Sequence, residues 1–424
     1  MSSGSISADW VLPLDGPPIE NGVVRFEGGR ITEVGPGRGE RHHAGAAIIP
    51  GFVNTHSHLE YAGYAGFGDG LDFGPWIELH VARKRTLSAA DMRAVARLGA
   101  LDSLRSGVTT TADYSFSGAA AAAAQELGLR ATVYLEVFAK QPAEAEAQWL
   151  AKRETAAESG LVTIGISPHA PYTCTLEVYE WCLSLGVPVG THLAESAHEE
   201  AWLQHGAGPL RDVPIAVPPT GKRPVGTLEP VLGPDLLCAH CVRIDASEVE
   251  LLAEKDVPIA HCPRSNALLG CGIAPLAALR AAGARVGLGT DSPASTPSFD
   301  VFEEMRAAIL LARGGREDAG ALSAEAALRL ATIDAAGALR LDENMGTLAP
   351  GKFADLALVS VAGSTYDPVE DPAAAVVFGG SPERVLETIV QGVTRYTSEE
   401  DEETWQEVRS TASAARRRML AAAP

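Results

Sequence analysis

Two histidines separated by one residue follow an apolar segment near the start of the chain, in the run PGFVNTHSH that contains His56 and His58. On a β-strand, residues two apart point to the same side, so both imidazoles would face one site. Two neutral imidazoles placed in this way are good ligands for a first-row metal ion. An H-x-H pair also occurs without any metal, so the pair alone leaves both interpretations open.

Polar residues of the same kinds follow other strand candidates. They lie in the motifs THLAE, CAHC and GLGTDS, and they comprise His192, Glu195, His240 and Asp291. Of the eleven histidines, five stand at the predicted ends of the first, fourth, fifth and sixth strands. Chance clustering of this kind is improbable, so we expect these side chains to meet in one site.

The middle of the chain alternates short β-branched segments with stretches rich in alanine, leucine and arginine. Eight strand candidates end near residues 54–58, 110–114, 136–138, 167–169, 191–192, 239–242, 260–263 and 289–292. The segments between them, such as 91–105, 119–127 and 247–255, have helical composition and apolar spacing. Eight β–α units in series predict an α/β fold, a (β/α)8 barrel of the TIM type. Such barrels gather their active sites at the carboxyl ends of the strands, where the histidines lie.

Both ends of the chain contain further β-like segments. Residues 1–50 hold alternating runs around a Gly-Gly turn, which is a hairpin signal. Matching segments return at 346–352, 354–359, 376–378 and 390–393. We therefore expect a small β-sandwich from residues 1–50 and 346–396, a barrel from 51–345, and a helical tail from 397–424.

Composition and charge exclude several classes of function. The formal net charge of −20 argues against a broad surface for nucleic acid or anionic membranes. No run of about 18 or more uncharged apolar residues is present, which disfavours a transmembrane helix. The six cysteines are scattered and form no disulfide framework, as is typical of a reducing compartment. We expect a cytoplasmic protein that binds a small molecule, with no nucleic-acid or membrane partner.

The sequence resembles the amidohydrolase superfamily, in its branch of deaminases and triazine-type hydrolases. The likeness covers nearly the whole chain and rests on the motifs PGFVNTHSH, ISPHAPYT, THLAE, CAHC, HCPRSN and GLGTDS, which stand in family order. The resemblance implies that Glu195 and His240 act on the substrate. It implies that the metal ligands are His56, His58, His192 and Asp291.

The number and kind of metal ions also follow from this resemblance. Family members with two metals bridge them by a modified lysine at the end of the fourth strand. Here that strand ends in Ser-Pro-His169, without a lysine. We therefore expect one divalent ion, with Zn2+ as the leading candidate and Fe2+ or Mn2+ as alternatives.

The chemistry of these residue types agrees with the resemblance. Three imidazoles and one carboxylate leave room for a water, whose pKa a zinc-like ion brings near neutrality. Asp291 could accept a proton from that water, and Glu195 could carry it to a ring nitrogen or to a departing amine. His240 could donate a hydrogen bond to the oxygen that develops negative charge. Glu195 stands three residues after His192, so the chain should leave the strand after His192.

Six residues are candidates for contacts with the substrate. His169 ends the fourth strand, His261 lies near the end of the seventh, and Trp76 could cover a planar ring. Glu60 could be a polar anchor two residues beyond the H-x-H pair, whereas His80 is interpreted as a surface or structural residue. Asn266, in HCPRSN, would line the pocket or fix a loop. The remaining candidate is Arg85.

Arg85 bears on the nature of the substrate. Deaminases of methylthioadenosine and S-adenosylhomocysteine carry a glutamate on the first barrel helix that grips the ribose hydroxyls, and counting from Trp76 places Arg85 there. A cation at this position would suit a substrate with a carboxylate, such as the benzoate-bearing 6-aminodeoxyfutalosine. The alternative is that Arg83, Lys84 and Arg85 form a solvated helix face.

Three functions are consistent with these residues. The leading hypothesis is hydrolytic deamination of an amino-substituted purine, nucleoside or related N-heterocycle, with release of ammonia. The second is hydrolysis of a ring amide, or of a chloro or amino group on a triazine-like ring, at the same metal site. The third is an inactive scaffold homologue, which the complete ligand set disfavours. A homodimer is a family-level expectation.

Overall fold

The strands fall into two sheets in a computed structural model that describes residues 3–156, 158–399 and 402–421. In chain order the strands are β1 Ser3–Val11, β2 Ile19–Glu27, β3 Arg30–Pro36, β4 Arg41–Pro50, β5 Phe52–Ser57, β6 Val108–Ser115, β7 Arg130–Val137, β8 Val162–Pro168, β9 Val189–Leu193, β10 Leu236–His240, β11 Ile259–His261, β12 Val286–Leu288, β13 Leu356–Ser360, β14 Val385–Val390 and β15 Val393–Thr397.

The larger sheet is the predicted barrel. Its eight strands, β5 to β12, lie side by side in chain order, and each pair is parallel. The first and last strands meet where Ser57 pairs with Asp291 and the Asp291 N–H donates to the His56 carbonyl at 2.9 Å. Gly287 permits this closure, because a Cβ there would lie 2.4 Å from the Thr55 methyl carbon. The closure brings Asp291 beside the H-x-H pair.

Helices α1 to α13 lie between or after the barrel strands, and α14 and α15 follow strands β13 and β15 of the other sheet. They are α1 Phe73–Lys84, α2 Ala89–Arg105, α3 Ala119–Leu127, α4 Pro142–Arg153, α5 Leu176–Ser184, α6 Ala197–His205, α7 Pro224–Leu228, α8 Ala246–Glu254, α9 Pro263–Leu268, α10 Leu276–Ala281, α11 Val301–Arg316, α12 Ala324–Leu330, α13 Ile333–Ala338, α14 Pro372–Gly379 and α15 Glu402–Ala421, with short 3₁₀ helices at Leu59–Tyr64, Pro209–Asp212 and Pro382–Arg384.

Local sequence explains where several of these helices begin. Ser88 and Asp91 form a reciprocal capping box at the start of α2, and Asp245 and Glu248 form another at the start of α8. These two helices match the predicted helical segments 91–105 and 247–255 to within two residues. Within the described residues, none of the helices combines the length and apolarity that a bilayer span requires.

The two chain ends together form the second sheet. Its order is β15-β14-β13-β4-β1-β2-β3, with β1 and β4 parallel and the other pairs antiparallel. Its apolar side chains pack into a separate cluster that includes Ile6, Phe26, Ile48, Leu356 and Ile389. Both termini therefore build one β unit beside the barrel, whereas domain boundaries at 50, 345 and 396 stay a prediction.

Two of the predicted β-like segments near the second end differ in the structure. The run at 376–378 lies in α14, where Pro372 begins the helix and the Asp371 carboxylate accepts a hydrogen bond from the Ala374 N–H at 3.0 Å. A short apolar run cannot by itself be assigned to strand or helix, and here the capping residues decide for helix. Residues 346–352 form turns and irregular structure.

The last helix packs against the barrel loop that follows β5. Arg416 on α15 donates hydrogen bonds to the carbonyls of Gly63 at 2.6 Å and Ala65 at 2.9 Å. Met419 is buried in a cluster with Tyr64 and Phe67. Helix α15 therefore supports the segment that follows β5 at the carboxyl ends of the barrel strands. Residues 400–401 and 422–424 of the predicted tail lie outside the described residues.

Candidate active site

Three strand ends turn sharply at the same end of the barrel. Ala194, His240 and Asp291 have φ angles of 53°, 76° and 57°. This left-handed backbone is uncommon for residues other than glycine, and it concentrates at functional sites. The turn at Ala194 follows β9, which ends at Leu193, and it brings Glu195 to the same site as His192. The expected departure of the chain from the strand therefore occurs one residue after His192.

The predicted metal ligands converge on one point. The Nε2 atoms of His56 and His58 each lie 3.5 Å from Asp291 Oδ1. The Nε2 atoms of His58 and His192 lie 3.3 Å apart. All four side chains are buried. The barrel thus gathers three imidazoles and one carboxylate from β5, from β9 and from the segment after β12.

Hydrogen bonds behind these residues fix their orientation. His58 donates from Nδ1 to the Tyr114 carbonyl at 2.8 Å, and His192 donates from Nδ1 to the His169 carbonyl at 2.7 Å. Each bond leaves the Nε2 lone pair directed to the common point. Asp291 Oδ2 accepts hydrogen bonds from the hydroxyls of Ser265 at 2.5 Å and Ser295 at 2.8 Å, which leaves Oδ1 free. Such outer contacts are the usual support of metal ligands.

The electrostatics of His56, His192 and Asp291 fit a divalent cation. Both ring nitrogens of His56 are buried without a hydrogen-bond partner among the described residues. Burial lowers the pKa of His56 to about 3 and the pKa of His192 well below its usual range, so both imidazoles are neutral. Burial opposes ionisation of Asp291, yet the neighbouring His56, His240 and His58 hold its pKa well below the usual value. Neutral imidazoles and an ionised carboxylate form the donor set that a divalent metal requires.

Glu195 and His240 lie beside this ligand set. His240 Nε2 is 3.8 Å from Glu195 Oε1, and a carboxylate oxygen of Asp291 lies within 4.8 Å of both groups. Burial raises the pKa of Glu195 to about 7, so its carboxyl group can both accept and donate a proton near neutrality. Its backbone N–H donates to Glu199 Oε2 at 2.8 Å, which holds the turn in place. The pair is suited to proton transfer at an atom held near the metal ligands.

A cavity opens above these residues. Its floor contains His58, His192, Glu195, His240 and Asp291, and two of the predicted substrate contacts, Trp76 and His169, line it. The apolar part of its wall includes Ile77 and Val81 of α1 and Leu210, Val213 and Ile215 from the segment around the second 3₁₀ helix. A mostly apolar wall with a few convergent polar groups is typical of a small-molecule binding site.

The structure corrects the position predicted for Arg85. This residue follows the last turn of α1, is exposed, and does not line the cavity. The cavity face of α1 consists of Trp76, Ile77, His80, Val81 and Lys84, which follow the helical spacing of three and four residues. Lys84 therefore takes the place that the count from Trp76 assigned to Arg85, one residue away.

Three other candidates lie behind the cavity instead of lining it. The buried Glu60 carboxylate accepts hydrogen bonds from the hydroxyls of Ser115 and Ser117 and from the Ala119 N–H, and so fixes the start of α3. His261 is buried, and burial lowers its pKa to about 4. Asn266 Oδ1 accepts a hydrogen bond from His240 Nδ1 at 3.0 Å. Glu60 and Asn266 therefore support elements or residues of the site, and no substrate contact is assigned to His261.

Several cavity residues were not among the sequence candidates. His80, interpreted as structural, is only 4% exposed and lines the cavity. Glu136 stands at the end of the third barrel strand, so the rule that selected the histidines could also have selected it. Helical spacing from Trp76 could have indicated Lys84. Tyr61, Phe138, Tyr172, Thr173 and Ser292 also line the cavity and were not among the candidates.

Removal of the Asn266 side chain should misalign His240. Asn266 Nδ2 is buried without a partner among the described residues, so the bond to His240 is the contact that Asn266→Ala would lose. Outer contacts of this kind are worth about 10- to 100-fold in activity, and we expect kcat/KM to fall by that amount at unchanged metal content. Steady-state kinetics and metal analysis of the same preparation test this. Full activity in Asn266→Ala would show that His240 needs no such support.

The short helix α9, which carries Ser265 and Asn266, depends on a buried ion pair. Arg264 Nε lies 2.5 Å from Glu304 Oε1, and both side chains are buried. Arg264→Met would leave the Glu304 carboxylate buried without its cation, and we expect a loss of about 3–5 kcal/mol in the free energy of unfolding. Urea denaturation measures this loss. Arg340→Met is the matched control, since its pair with Asp235 is exposed and should contribute about 1 kcal/mol or less. Equal effects in the two variants would contradict the prediction.

Comparison with known proteins places this site in a family. The profile of the amidohydrolase family matches residues 47–395, and the chain belongs to that family. It is a hydrolase that acts on carbon–nitrogen bonds other than peptide bonds, with a divalent-metal site at the carboxyl end of its barrel.

The sequence relatives cover almost the whole chain. A 5-methylthioadenosine/S-adenosylhomocysteine deaminase of Moorella thermoacetica is 35% identical over 90% of this chain and 91% of its own length. A 5'-deoxyadenosine deaminase of Methanococcoides burtonii is 32% identical over 92% of this chain and 91% of its own length. The sequence identity and coverage of both relatives are high enough to establish a common fold and family.

Solved structures show the same architecture. An adenosine deaminase from Xanthomonas campestris with bound zinc superposes with a TM-score of 0.87, at 26% identity and over 98% of both chains. An atrazine chlorohydrolase from Arthrobacter aurescens TC1, complexed with zinc, gives a TM-score of 0.85 at 23% identity, over 97% of this chain and 99% of its own. The second likeness establishes the fold alone.

Proposed function

We propose that this protein is a metal-dependent hydrolytic deaminase of an amino-substituted purine nucleoside or a related N-heterocycle. The observation that carries the proposal is the buried Glu195 carboxyl group, which has an oxygen within 4.8 Å of both a His240 ring nitrogen and a carboxylate oxygen of Asp291. This arrangement serves proton transfer to a ring nitrogen and to a departing amine. The relatives named as deaminases of adenosine derivatives support the same reaction class.

We further propose that the metal is a single Zn2+ ion. His56, His58, His192 and Asp291 would hold it, and the solved relative from Xanthomonas campestris was crystallised with zinc. When bound, such an ion supplies Lewis acidity and lowers the pKa of a water molecule toward neutrality. No lysine stands at the end of β8, where a second metal would need its bridging ligand.

The protein's own residues would divide the proton transfers between them. Asp291 Oδ1 would accept a proton from the attacking water, and Glu195, which starts protonated, would donate its proton to the ring nitrogen. Glu195 would then carry the proton that the new hydroxyl loses, as the ring carbonyl forms, to the leaving amino group, and the proton on Asp291 would restore Glu195. His240 donates from Nε2 to the oxygen that becomes negative. The hydrogen bond between His240 Nδ1 and Asn266 Oδ1 at 3.0 Å holds the ring in the orientation that this donation requires.

Ammonia release from a panel of substrates tests the proposal. The panel contains adenosine, 5'-deoxyadenosine, methylthioadenosine, S-adenosylhomocysteine, 6-aminodeoxyfutalosine, guanine, cytosine, aminotriazines, chlorotriazines with alkylamino groups, and ring amides, offered to protein loaded with Zn2+. We expect ammonia from at least one purine nucleoside and none after the metal is removed by a chelator. Release of chloride or an alkylamine from triazines, with no ammonia from any purine or pyrimidine, would instead favour triazine-type hydrolysis. Inactivity on every compound and on ring amides would favour an inactive homologue.

A further inference from the structure

A second buried carboxylate, Glu199 of α6, binds the turn that carries Glu195. It accepts hydrogen bonds from two successive backbone N–H groups, that of Ala194 at 3.2 Å to Oε1 and that of Glu195 at 2.8 Å to Oε2. Ser196 is the N-cap of α6, and its hydroxyl accepts a hydrogen bond from the Glu199 N–H at 3.2 Å. The carboxylate is therefore fixed at the first turn of the helix and binds the chain just before it.

This contact differs from the one that the local sequence is typical of. Ser196 and Glu199 have the S-x-x-E spacing of a capping box, in which the glutamate turns back to the N–H of the N-cap residue. Here the two carboxylate oxygens reach the two residues that precede the N-cap. A capping box stabilises its own helix. The bonds of Glu199 also fix the backbone of a residue in the active site.

Backbone atoms that follow β10 hold the same turn from its other side. The Ala194 carbonyl accepts hydrogen bonds from the N–H groups of Val242 at 2.9 Å and Arg243 at 2.7 Å. Ala194 has a φ angle of 53°, a conformation that residues with a Cβ keep only where their surroundings impose it. A substitution cannot remove the backbone bonds, but it can remove the Glu199 carboxylate. Its loss would let Ala194 relax and turn the Glu195 side chain away from the site.

Glu199 itself is placed away from the substrate. Its side chain is 1% exposed and is not among the residues that line the cavity, whereas Glu195 lies in the cavity floor. Both of its carboxylate oxygens accept bonds from backbone donors. An effect of Glu199 on the reaction must therefore pass through the residues that it holds.

We infer that Glu199 is a positioning residue, which keeps the Glu195 carboxyl group where it can exchange protons with the substrate. The inference rests on the proposed deaminase function and extends it to a side chain outside the cavity. General acid–base catalysis requires the proton-transfer group to lie within hydrogen-bond reach of its target. A displacement of about 1 Å can cost about 100-fold in rate. The contribution of Glu199 therefore belongs to kcat more than to KM.

Kinetics of Glu199 variants, alone and combined with Glu195→Gln, test the inference. The assay uses Zn2+-loaded protein and the panel compound that the wild-type protein converts best. We expect Glu199→Ala to lower kcat by about 10- to 100-fold at nearly unchanged KM and metal content. Glu199→Gln keeps one acceptor oxygen and should lower kcat by less. In the Glu195→Gln protein neither change should lower kcat further, because an amide at position 195 carries no proton wherever it points.

Glu200→Gln is the matched control on the same helix. Glu200 follows Glu199 directly, is half-buried and forms ion pairs with Arg223 and Arg243. Its substitution removes contacts of α6 but leaves the bonds to the turn, so kcat should stay at the wild-type value. Thermal unfolding shows that each variant is folded. If Glu199→Ala does not fold, Glu199→Gln carries the comparison.

The contrary outcomes separate this inference from the deaminase proposal. Losses that multiply in the combined variant, or equal losses of kcat in Glu199→Gln and Glu200→Gln, would show a general support of α6 and overturn the positioning role. Unchanged kcat in the Glu199 variants would also overturn it, and both results leave the deaminase proposal intact. Turnover of a triazine or a ring amide in place of any nucleoside would overturn the deaminase proposal, and the variants would then be compared on that compound. Inactivity of the wild-type protein on the whole panel would overturn both.

Discussion

Asp291→Ala is expected to remove both the bound metal and the catalytic activity. The carboxylate is the only anionic member of the predicted ligand set, and its Oδ1 faces His56 and His58 at 3.5 Å. Without it, three neutral imidazoles would hold the ion, and the proton acceptor for the water would also be lost. We expect about one ion per chain in the wild-type protein, much less in the variant, and activity at background level. Plasma mass spectrometry and an ammonia assay on the same samples measure both quantities.

A surface aspartate provides the control for this prediction. Asp235→Ala removes an exposed carboxylate that pairs with Arg340, and metal content and activity should not change. Thermal unfolding of both variants shows whether each is folded. A folded Asp291→Ala protein that keeps one ion per chain and full activity would exclude Asp291 from the metal site. Two ions per wild-type chain would contradict the single-metal site.

Glu195→Gln is expected to lower kcat by about 10²- to 10⁴-fold while the metal stays bound, the range for loss of a general acid–base group. The amide has nearly the same shape as the carboxyl group but cannot carry protons between water, ring and leaving group. The Glu195 N–H bond to Glu199 involves the backbone, so the variant should keep the turn after Ala194. Steady-state kinetics on the best substrate of the panel, with metal analysis, provides the measurement.

Two observations would limit the role of Glu195. Glu177→Gln, on the exposed face of α5, should retain wild-type kcat and serves as the matched control. A decrease in kcat for Glu195→Gln that follows a loss of metal would indicate a structural role. An unchanged kcat at full metal content would assign the proton transfers to other groups, such as Asp291 or His240.

The barrel and the metal centre could be predicted from the sequence because both depend on local signals. Strand ends in a parallel barrel meet at one face, so the positions of His56, His192 and Asp291 along the chain already implied their proximity. The structure confirms the parallel eight-stranded sheet and brings these side chains together. The sequence did not predict the left-handed turns at Ala194 and His240. These turns orient the side chains of Glu195 and His240 toward the site.

The cavity wall was harder to predict because it depends on how a helix faces the barrel. The charges of Arg83, Lys84 and Arg85 are alike, and a difference of one residue changes which of them points inward. Glu60 and Asn266 are polar neighbours of the catalytic motifs in sequence, yet their hydrogen bonds go to the start of α3 and to His240. These partners come from distant parts of the chain, and no local pattern specifies them.

Isotopic analysis of a single reaction tests the central claim most directly. The Zn2+-loaded protein is mixed with the nucleoside that it converts best, in water enriched in oxygen-18, and product mass and ammonia are measured together. Hydrolytic deamination predicts one ammonia per molecule of product and one oxygen-18 atom in the heterocycle. Product without ammonia, or ammonia without solvent oxygen in the ring product, would contradict it.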